Sequence, residues 1–209
     1  MNPKLIEPQT DPLWQKLVEQ QPSDVFHSPA WLRVLAETYP IKIRACVLLD
    51  KAEEPVGGIP FGQISDDKGS RLVTLPFSDY CDPVAGSDEQ WQALATRLLA
   101  ETPAFTIRCL HNRLPLADQR FTVVNKAKWH GLDFQDDLDT LWAGIHSSAR
   151  RAIKKARREA VTVQAARSKK ELRQFFELHL GVRKNKYRLL AQPYRFFENI
   201  WDNFVAKGN

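Results

Sequence analysis

The chain has 209 residues, 43% of them hydrophobic, enough for one large core and part of a second. No apolar run is long enough to span a bilayer, and the opening MNPKLIEPQTD lacks the apolar stretch of a secretory leader, so a cytoplasmic location is expected. Cys46, Cys81 and Cys109 are too few and too scattered for a disulfide framework or a zinc site. The net charge of +5 hides a polarity: residues 1–137 carry 14 Lys/Arg against 19 Asp/Glu, residues 138–209 carry 16 against 6. A positive surface confined to the C-terminal third attracts phosphates, nucleic acid or anionic lipid, and charge alone does not choose among them.

Residues 12–20 (PLWQKLVEQ) have the spacing of a short amphipathic helix. A second helix is predicted from Pro29, with Ser28 as its N-cap and Trp31, Leu32, Val34 and Leu35 as its packing face. IRACVLLD (43–50) and VGGIPFGQIS (56–65) are predicted as a pair of strands around the charged turn KAEEP, and SRLVTLPF (70–77) as a third strand. A helix over 91–101 and strands over 105–111 and 121–134 follow. A strand over 161–166, a helix over 168–184 with Ser168 and Glu171 as a capping box, and a last helix in YRFFENIWDNFVAKGN complete the chain. Elements in this alternating order predict an α/β fold with a mixed sheet flanked by helices.

Between them, residues 138–160 predict one basic amphipathic helix. At about 100° per residue, Arg150, Arg151, Lys154, Lys155, Arg157 and Arg158 fall within an arc of roughly 160°. Leu138, Leu141, Trp142, Ile145, Ala149, Ala152, Ile153 and Ala156 fill the other side, which is expected to dock on a core.

Three segments carry candidate chemistry. In LPFSDYCDP (75–83), Asp79, Tyr80 and Asp82 follow a strand whose end would open onto the crevice of an α/β sheet, where ligands bind. There they could recognise a substrate amine or hydroxyl, although Ser, Asp and Pro also suit a plain turn. Cys81 lacks an evident basic partner and fits a buried thiol. His111 and Arg113 close the next strand and could hold a phosphate or carboxylate, or serve structure alone. In GVRKNKYRLL (181–190), Arg183, Lys184 and Lys186 surround Tyr187, a pattern suited to nucleic acid and equally to a solvated helix end. The chain has no nucleophile elbow, no HExxH pair and no glycine-rich CoA loop.

The order of FHSPAWLRVL, PVGGIPF, LPFSDYCDP, LDTLWAGIHSSARRAIKKARREAV and FFELHLGVRKNKYRLLAQPYRFFENIW resembles the Fem-type (FemAB-like) branch of the GNAT N-acyltransferase superfamily, over about residues 25–205. The resemblance implies a first GNAT-like domain over 1–160 and the start of a second over 161–209, a fragment not expected to turn over substrate alone. It implies transfer of an acyl or aminoacyl group, from acyl-CoA or aminoacyl-tRNA as donor substrate, to an amine in peptidoglycan or exopolysaccharide biosynthesis. No tightly bound cofactor is expected. In that setting Arg150, Lys154, Arg157 and Arg158 would bind the diphosphate of a nucleotide-linked cell-wall precursor or the backbone of tRNA, and residues 183–187 would flank the acceptor site. The competing expectation is a non-catalytic basic module for nucleic acid or another polyanion.

Overall fold

Strand Lys42–Leu49 (β2) is apolar at nearly every position because both of its faces are covered. Side chains alternate across a strand, so Ile43, Ala45, Val47 and Leu49 enter one core and Cys46 and Leu48 the other. Around β2 the computed structural model, which describes residues 1–67, 69–102, 104–131, 134 and 137–208, places a five-stranded mixed sheet. Its spatial order is Asn2–Ile6 (β1), β2, Pro55–Asp66 (β3), Gly69–Val73 (β4) and Phe105–Thr106 (β5). The first three neighbouring pairs are antiparallel. β5 lies parallel to β4, with helix Asp88–Leu99 (α3) between them in the chain, a βαβ crossover.

One face of the sheet packs on Pro12–Gln20 (α1) and Pro29–Thr38 (α2) through Trp14, Leu17, Leu32, Val34 and Leu35. The other packs on α3 through Leu94 and Leu98. Both early helices start where predicted. Asp11 caps α1 and Ser28 caps α2, its Oγ accepting from Trp31 N at 3.2 Å. The double glycine of β3 has a packing reason. A Cβ on Gly58 would meet Leu17, Trp14 and the Cys46 carbonyl at 2.8–2.9 Å, so only glycine lets α1 lie this close to the sheet. Each deeply placed tryptophan finds an acceptor for its indole N–H: Trp14 the carbonyl of His27, Trp31 the hydroxyl of Ser78, Trp91 the carboxylate of Asp118.

The C-terminal half is built differently. No described residue from 119 to 195 is buried. After the one-turn helix Leu114–Ala117 (α4), helices Leu138–Gly144 (α5) and Ser147–Arg158 (α6) have no buried side chain, nor has Lys169–Gly181 (α7). Helix Tyr194–Asn203 (α8) returns to the first core. Phe196 sits edge-on to Trp31 at 5.9 Å, and Asn199 Nδ2 donates to Thr38 Oγ1 at 2.9 Å. α7 rides on α8, with Phe175 and Phe176 each 5.7 Å from Phe197 and Arg173 3.6 Å above the Tyr194 ring. The accessible surface totals 14104 Å². A compact monomer of 24.0 kDa would expose about 9,900 Å².

Several expectations change. β1, absent from the sequence reading, forms a sheet edge against β2. The predicted strand over 105–111 shrinks to two residues, and that over 70–77 stops at Val73. Residues 121–131 and 134 form no strand, while positions 132 and 133 of that expectation lie outside the described residues. Segment 161–166 forms no strand and pairs with none, and Val163 is 95% exposed. The basic helix is two helices. Ile145 and His146 take extended ψ angles of 133° and 140°, and the His146 side chain caps α6 by accepting from Ser148 N. Its apolar side, expected on a core, is at most half-buried. The helix after Ser168 is α-helical to Gly181 and closes in a π-turn over Val182–Lys186. There the capping box is offset: Ser168 accepts from Glu171 N, while the Glu171 carboxylate accepts from Arg167 N.

Since Phe196 is 7% exposed and joins α8 to the first core, Phe196→Ala is expected to cost about 3–5 kcal/mol in urea unfolding. It should also open residues 169–203 to limited proteolysis; unchanged stability would show that α8 contributes nothing to the fold.

Candidate functional site

The chain leaves β4 into residues 74–85, which return as an isolated bridge between Val84 and Gly58 of β3. This loop collects the unusual backbone and buried polar groups of the first layer. Leu75 and Phe77 have φ of 29° and 61°, left-handed values costly for side chains with a Cβ. Surrounding bonds hold them there. Thr74 N donates to Thr106 O at 2.9 Å, Ser78 Oγ accepts from Trp31 at 2.9 Å, and Phe77 stacks on Tyr39 with ring centres 4.2 Å apart. Arg108 Nη1 donates to Ser78 O at 3.1 Å, and Cys81 N donates to Arg108 O at 2.9 Å.

Asp82 locks this loop to the one after β5. Its buried carboxylate accepts from the backbone N–H groups of Leu110, His111 and Asn112 at 2.9, 3.1 and 3.1 Å. Asn112 answers by donating its amide to the carbonyls of Pro83 and Ala85, both at 2.9 Å. Asp82 is therefore a clamp with its acceptor capacity engaged, not a group facing a ligand.

Beneath the clamp lies a cluster that sequence reasoning missed. In the 3-10 turn Val25–His27, His27 is 3% exposed. Its Nε2 is 2.8 Å from the Asp82 carbonyl and 3.6 Å from Cys81 Sγ, and its Nδ1 is 3.2 Å from Asp24 Oδ1. A carbonyl only accepts, so Nε2 carries a proton, while Nδ1 faces both the Asp24 carboxylate, which favours a second proton there, and the Asp24 backbone N–H at 3.4 Å, which donates to the bare nitrogen. Burial alone would lower the imidazole pKa, but the Asp24 carboxylate and the Asp82 carbonyl raise it above its ordinary value. Burial of Asp24 opposes its ionisation, yet the pairing with His27 and two backbone N–H groups hold its carboxyl below the usual value. Burial pushes the Cys81 thiol up against the pull of His27. The Asp–His–Cys order thus resembles a nucleophilic triad in connectivity only, because its thiol is inaccessible and protonated. A close pair Asp24–His27 at i,i+3 was the available signal, and it fits a local cap as well as a site.

Above the clamp the surface is open. Asp79 and Arg113 are exposed, as is His111, and Tyr80 is half-buried. The Tyr80 ring meets Phe26 edge-on at 5.4 Å and His111 at 5.6 Å, and His111 in turn meets Trp129, itself 62% exposed, at 6.2 Å. Burial first, then the carboxylates of Asp24, Asp82 and Asp79, push the Tyr80 phenol up, so it remains a hydrogen-bond donor at neutral pH. The structure thus brings Asp79, Tyr80, His111 and Arg113 onto two mutually clamped loops and adds Trp129. A groove of about 670 Å³ lined by Asp11, Lys16 and Arg33 contains none of them.

The basic candidates lie elsewhere. Arg150 Nη1 donates to the Ala143 carbonyl at 3.1 Å and so helps join α5 to α6, while Lys154, Arg157 and Arg158 are exposed. Arg183 folds back and donates to Leu190 O at 2.9 Å, closing the loop after the π-turn. Lys184, Lys186 and Tyr187 remain exposed, with Lys186 Nζ 5.4 Å from the Tyr187 ring. Among the described residues no three His, Cys, Asp or Glu side chains are placed to hold a metal, and no helix is long and apolar enough to cross a membrane. Comparison with protein families, with curated proteins and with solved structures yields no match.

Two outcomes test the buried cluster. A folded-state pKa raised above 6.5 means that His27 contributes stability fully below pH 6.5 and loses it as pH climbs through the raised value. The difference in urea stability between wild type and His27→Gln should therefore shrink steadily from pH 7 to pH 10; a pH-independent difference would exclude the charged imidazole. Asp82→Ala leaves three backbone donors without their acceptor and is expected to cost about 2–4 kcal/mol by the same measurement. A change below about 0.5 kcal/mol would show that water replaces the carboxylate.

Proposed function

We propose that this chain is part of a GNAT-like N-acyltransferase or aminoacyltransferase of the Fem type, and that the surface carrying Asp79, Tyr80, His111 and Arg113 receives the amine acceptor. The observation that carries this reading is that two loops clamped together by Asp82 carry all four residues, with the Tyr80 and His111 rings edge-to-face at 5.6 Å. Asp82, Asn112 and Arg108 spend their hydrogen bonds on the loops and Ser78 Oγ accepts from Trp31, leaving the exposed side chains of Asp79, His111 and Arg113 for a ligand, while the Tyr80 phenol also faces the Asp24 carboxylate. The motif order of the sequence and the mixed sheet with a βαβ crossover support the same reading.

In such a transfer the amine nitrogen attacks the carbonyl carbon of the activated acyl group. A new C–N bond forms, the bond from the carbonyl to the carrier sulfur or oxygen breaks, and the carrier leaves with a proton from the amine. Positioning supplies much of the acceleration. The Asp79 carboxylate suits an incoming ammonium or hydroxyl, the Tyr80 phenol donates to an acceptor oxygen, and His111 and Arg113 suit a carboxylate or phosphate of the same substrate. A second GNAT-like unit beginning near 161 would complete the site. The exposed Val161, Val163, Leu178 and Leu190 support this assignment, being apolar surface that this chain does not cover.

Thermal unfolding with acetyl-CoA, a nucleotide-linked muropeptide precursor and bulk tRNA, each at low and moderate salt, tests the reading. A salt-resistant rise in Tm with one small ligand is expected, about 2.7 kcal/mol of stabilisation at a hundredfold excess over Kd. Tyr80→Phe combined with Asp79→Asn should abolish the rise while leaving the unliganded Tm within a degree or two. A rise insensitive to that variant, or no rise with either small ligand, would remove this surface from the proposal.

A further inference from the structure

Residues 138–158 form an arm that belongs to neither core. No side chain of α5 or α6 joins the two apolar clusters that cover the sheet. The arm is tied to itself instead. Arg150 Nη1 donates to the Ala143 carbonyl at 3.1 Å, and the Arg157 guanidinium covers the half-buried Trp142 ring at 5.9 Å. Each helix is two-sided. At about 100° per residue, Leu138, Leu141, Trp142 and Ile145 fall within an arc of roughly 100° along α5, and Ala149, Ala152, Ile153 and Ala156 within a similar arc along α6. Leu138 is 83% exposed, as is 78% of Phe134 four positions before it, while Leu141, Ile145 and Ile153 are half-buried. The six cations from Arg150 to Arg158 fill the side of α6 away from its apolar stripe. Among the described residues one ion pair answers them, Glu159 at 3.8 Å from Lys155.

One partner has to meet both faces. A chain of phosphates pairs with the cations and leaves Leu138 and the stripe behind it in water. A helix-binding groove on another protein takes up the stripe and leaves the like charges repelling one another outside it. The surface of an anionic bilayer meets both at once. Apolar side chains sink to the boundary between headgroups and acyl chains, while lysine and arginine reach the phosphates from the flanks. Arg157 over Trp142 has the matching composition, an indole beside a cation at the level of the headgroups. The stripe of α6 is shallow, one isoleucine among three alanines, so its apolar burial is small and the charge of the headgroups has to add to it.

We infer that the α5–α6 arm is a docking surface for an anionic lipid bilayer, its apolar stripe led by Leu138 toward the acyl chains and Lys154, Arg157 and Arg158 on the headgroup phosphates. The arm lies on the bilayer and not through it, since the 12 residues of α6 are too few to span the hydrocarbon. Binding is reversible, weakened by salt and dependent on anionic lipid. The inference goes beyond the transfer chemistry and does not depend on it.

Co-sedimentation of the full chain with phosphatidylcholine vesicles, with and without phosphatidylserine, provides the test. Capture by the phosphatidylserine vesicles at low salt is expected, about tenfold or more above capture by phosphatidylcholine alone. Lys154→Gln/Arg157→Gln/Arg158→Gln should weaken it by about tenfold or more, and the charge-matched Arg157→Lys/Arg158→Lys variant should keep it. Leu138→Gln, at an exposed position and with every charge in place, should weaken capture about fivefold. Circular dichroism and the thermal midpoint of each variant exclude misfolding as the cause. Full capture of Leu138→Gln would overturn the inference, because a contact made by cations alone is indifferent to the stripe. No capture by the anionic vesicles at low salt would overturn it outright. Loss of capture in Lys184→Gln/Lys186→Gln, with none in the triple variant, would overturn it by moving the contact to the π-turn. So would a dimer in sedimentation velocity that Leu138→Gln dissociates, since a second copy then covers the stripe. Because co-sedimentation needs no turnover, failure of the acyl-transfer reading leaves this result intact, and the converse holds.

Discussion

The Asp82 carboxylate, accepting from three successive backbone N–H groups, is the constraint on which the rest of the first layer depends. It joins the loop after β4 to the loop after β5 across a sheet edge only two residues long. Neither loop has a ladder to hold it there, and a short strand supplies few hydrogen bonds of its own. The same residue's carbonyl meets His27, so the clamp reaches from the surface platform down to the turn that precedes α2. Removing the carboxylate would leave three partly buried backbone donors without their acceptor.

That clamp accounts for how strained residues persist. Leu75 and Phe77 hold left-handed φ angles within a segment tied by Thr74, Ser78, Cys81 and Val84 to three different elements. A free loop would relax out of such angles, whereas one fixed at both ends by backbone bonds keeps them. The exposed side chains of Asp79 and His111 and the half-buried ring of Tyr80 therefore stand on a base held by these bonds, the arrangement that a binding site needs for orientation. His27 gains from its pairing only while the partly exposed Asp24 stays ionised, which links the turn beneath the platform to the protonation of that carboxylate.

The second half of the chain obeys a different balance. Its helices are specified locally, by caps at Asp137, His146 and Ser168, and by amphipathic spacing, yet they bury little. Local signals can define where a helix begins without saying what it packs against. α8 is the exception, because Phe196 enters the first core beside Trp31 and draws α7 along through a shared aromatic cluster. The large accessible surface and the isolated valines at 161 and 163 follow from the same fact: apolar residues here are patterned for burial that the described structure does not provide.

Much of the framework was legible because it rests on near neighbours. Ser28 before Pro29, the apolar stripe of α2 and the paired runs around KAEEP are short-range signals, and the structure reproduces them. β1 escaped because NPKLI has no strand character until β2 offers it a partner. The strand pattern of 161–166 failed in the opposite sense, being sound in sequence and unpaired in space. At the site, the segment LPFSDYCDP was recognisable as a polar cluster, but its division of labour was not. Asp79 and Asp82 look alike in sequence, and only the distant backbone of 110–112 makes one a clamp while leaving the other exposed. His27 and Cys81, separated by 54 positions, become neighbours through the fold alone. The sequence by itself determined the starts of α1, α2 and α7, the strand pair around KAEEP and the basic stripe of α6, because those depend on residue type and spacing along the chain. The tertiary structure decided which polar groups are spent on the fold and which remain free, since hydrogen-bond partners are chosen by proximity in space.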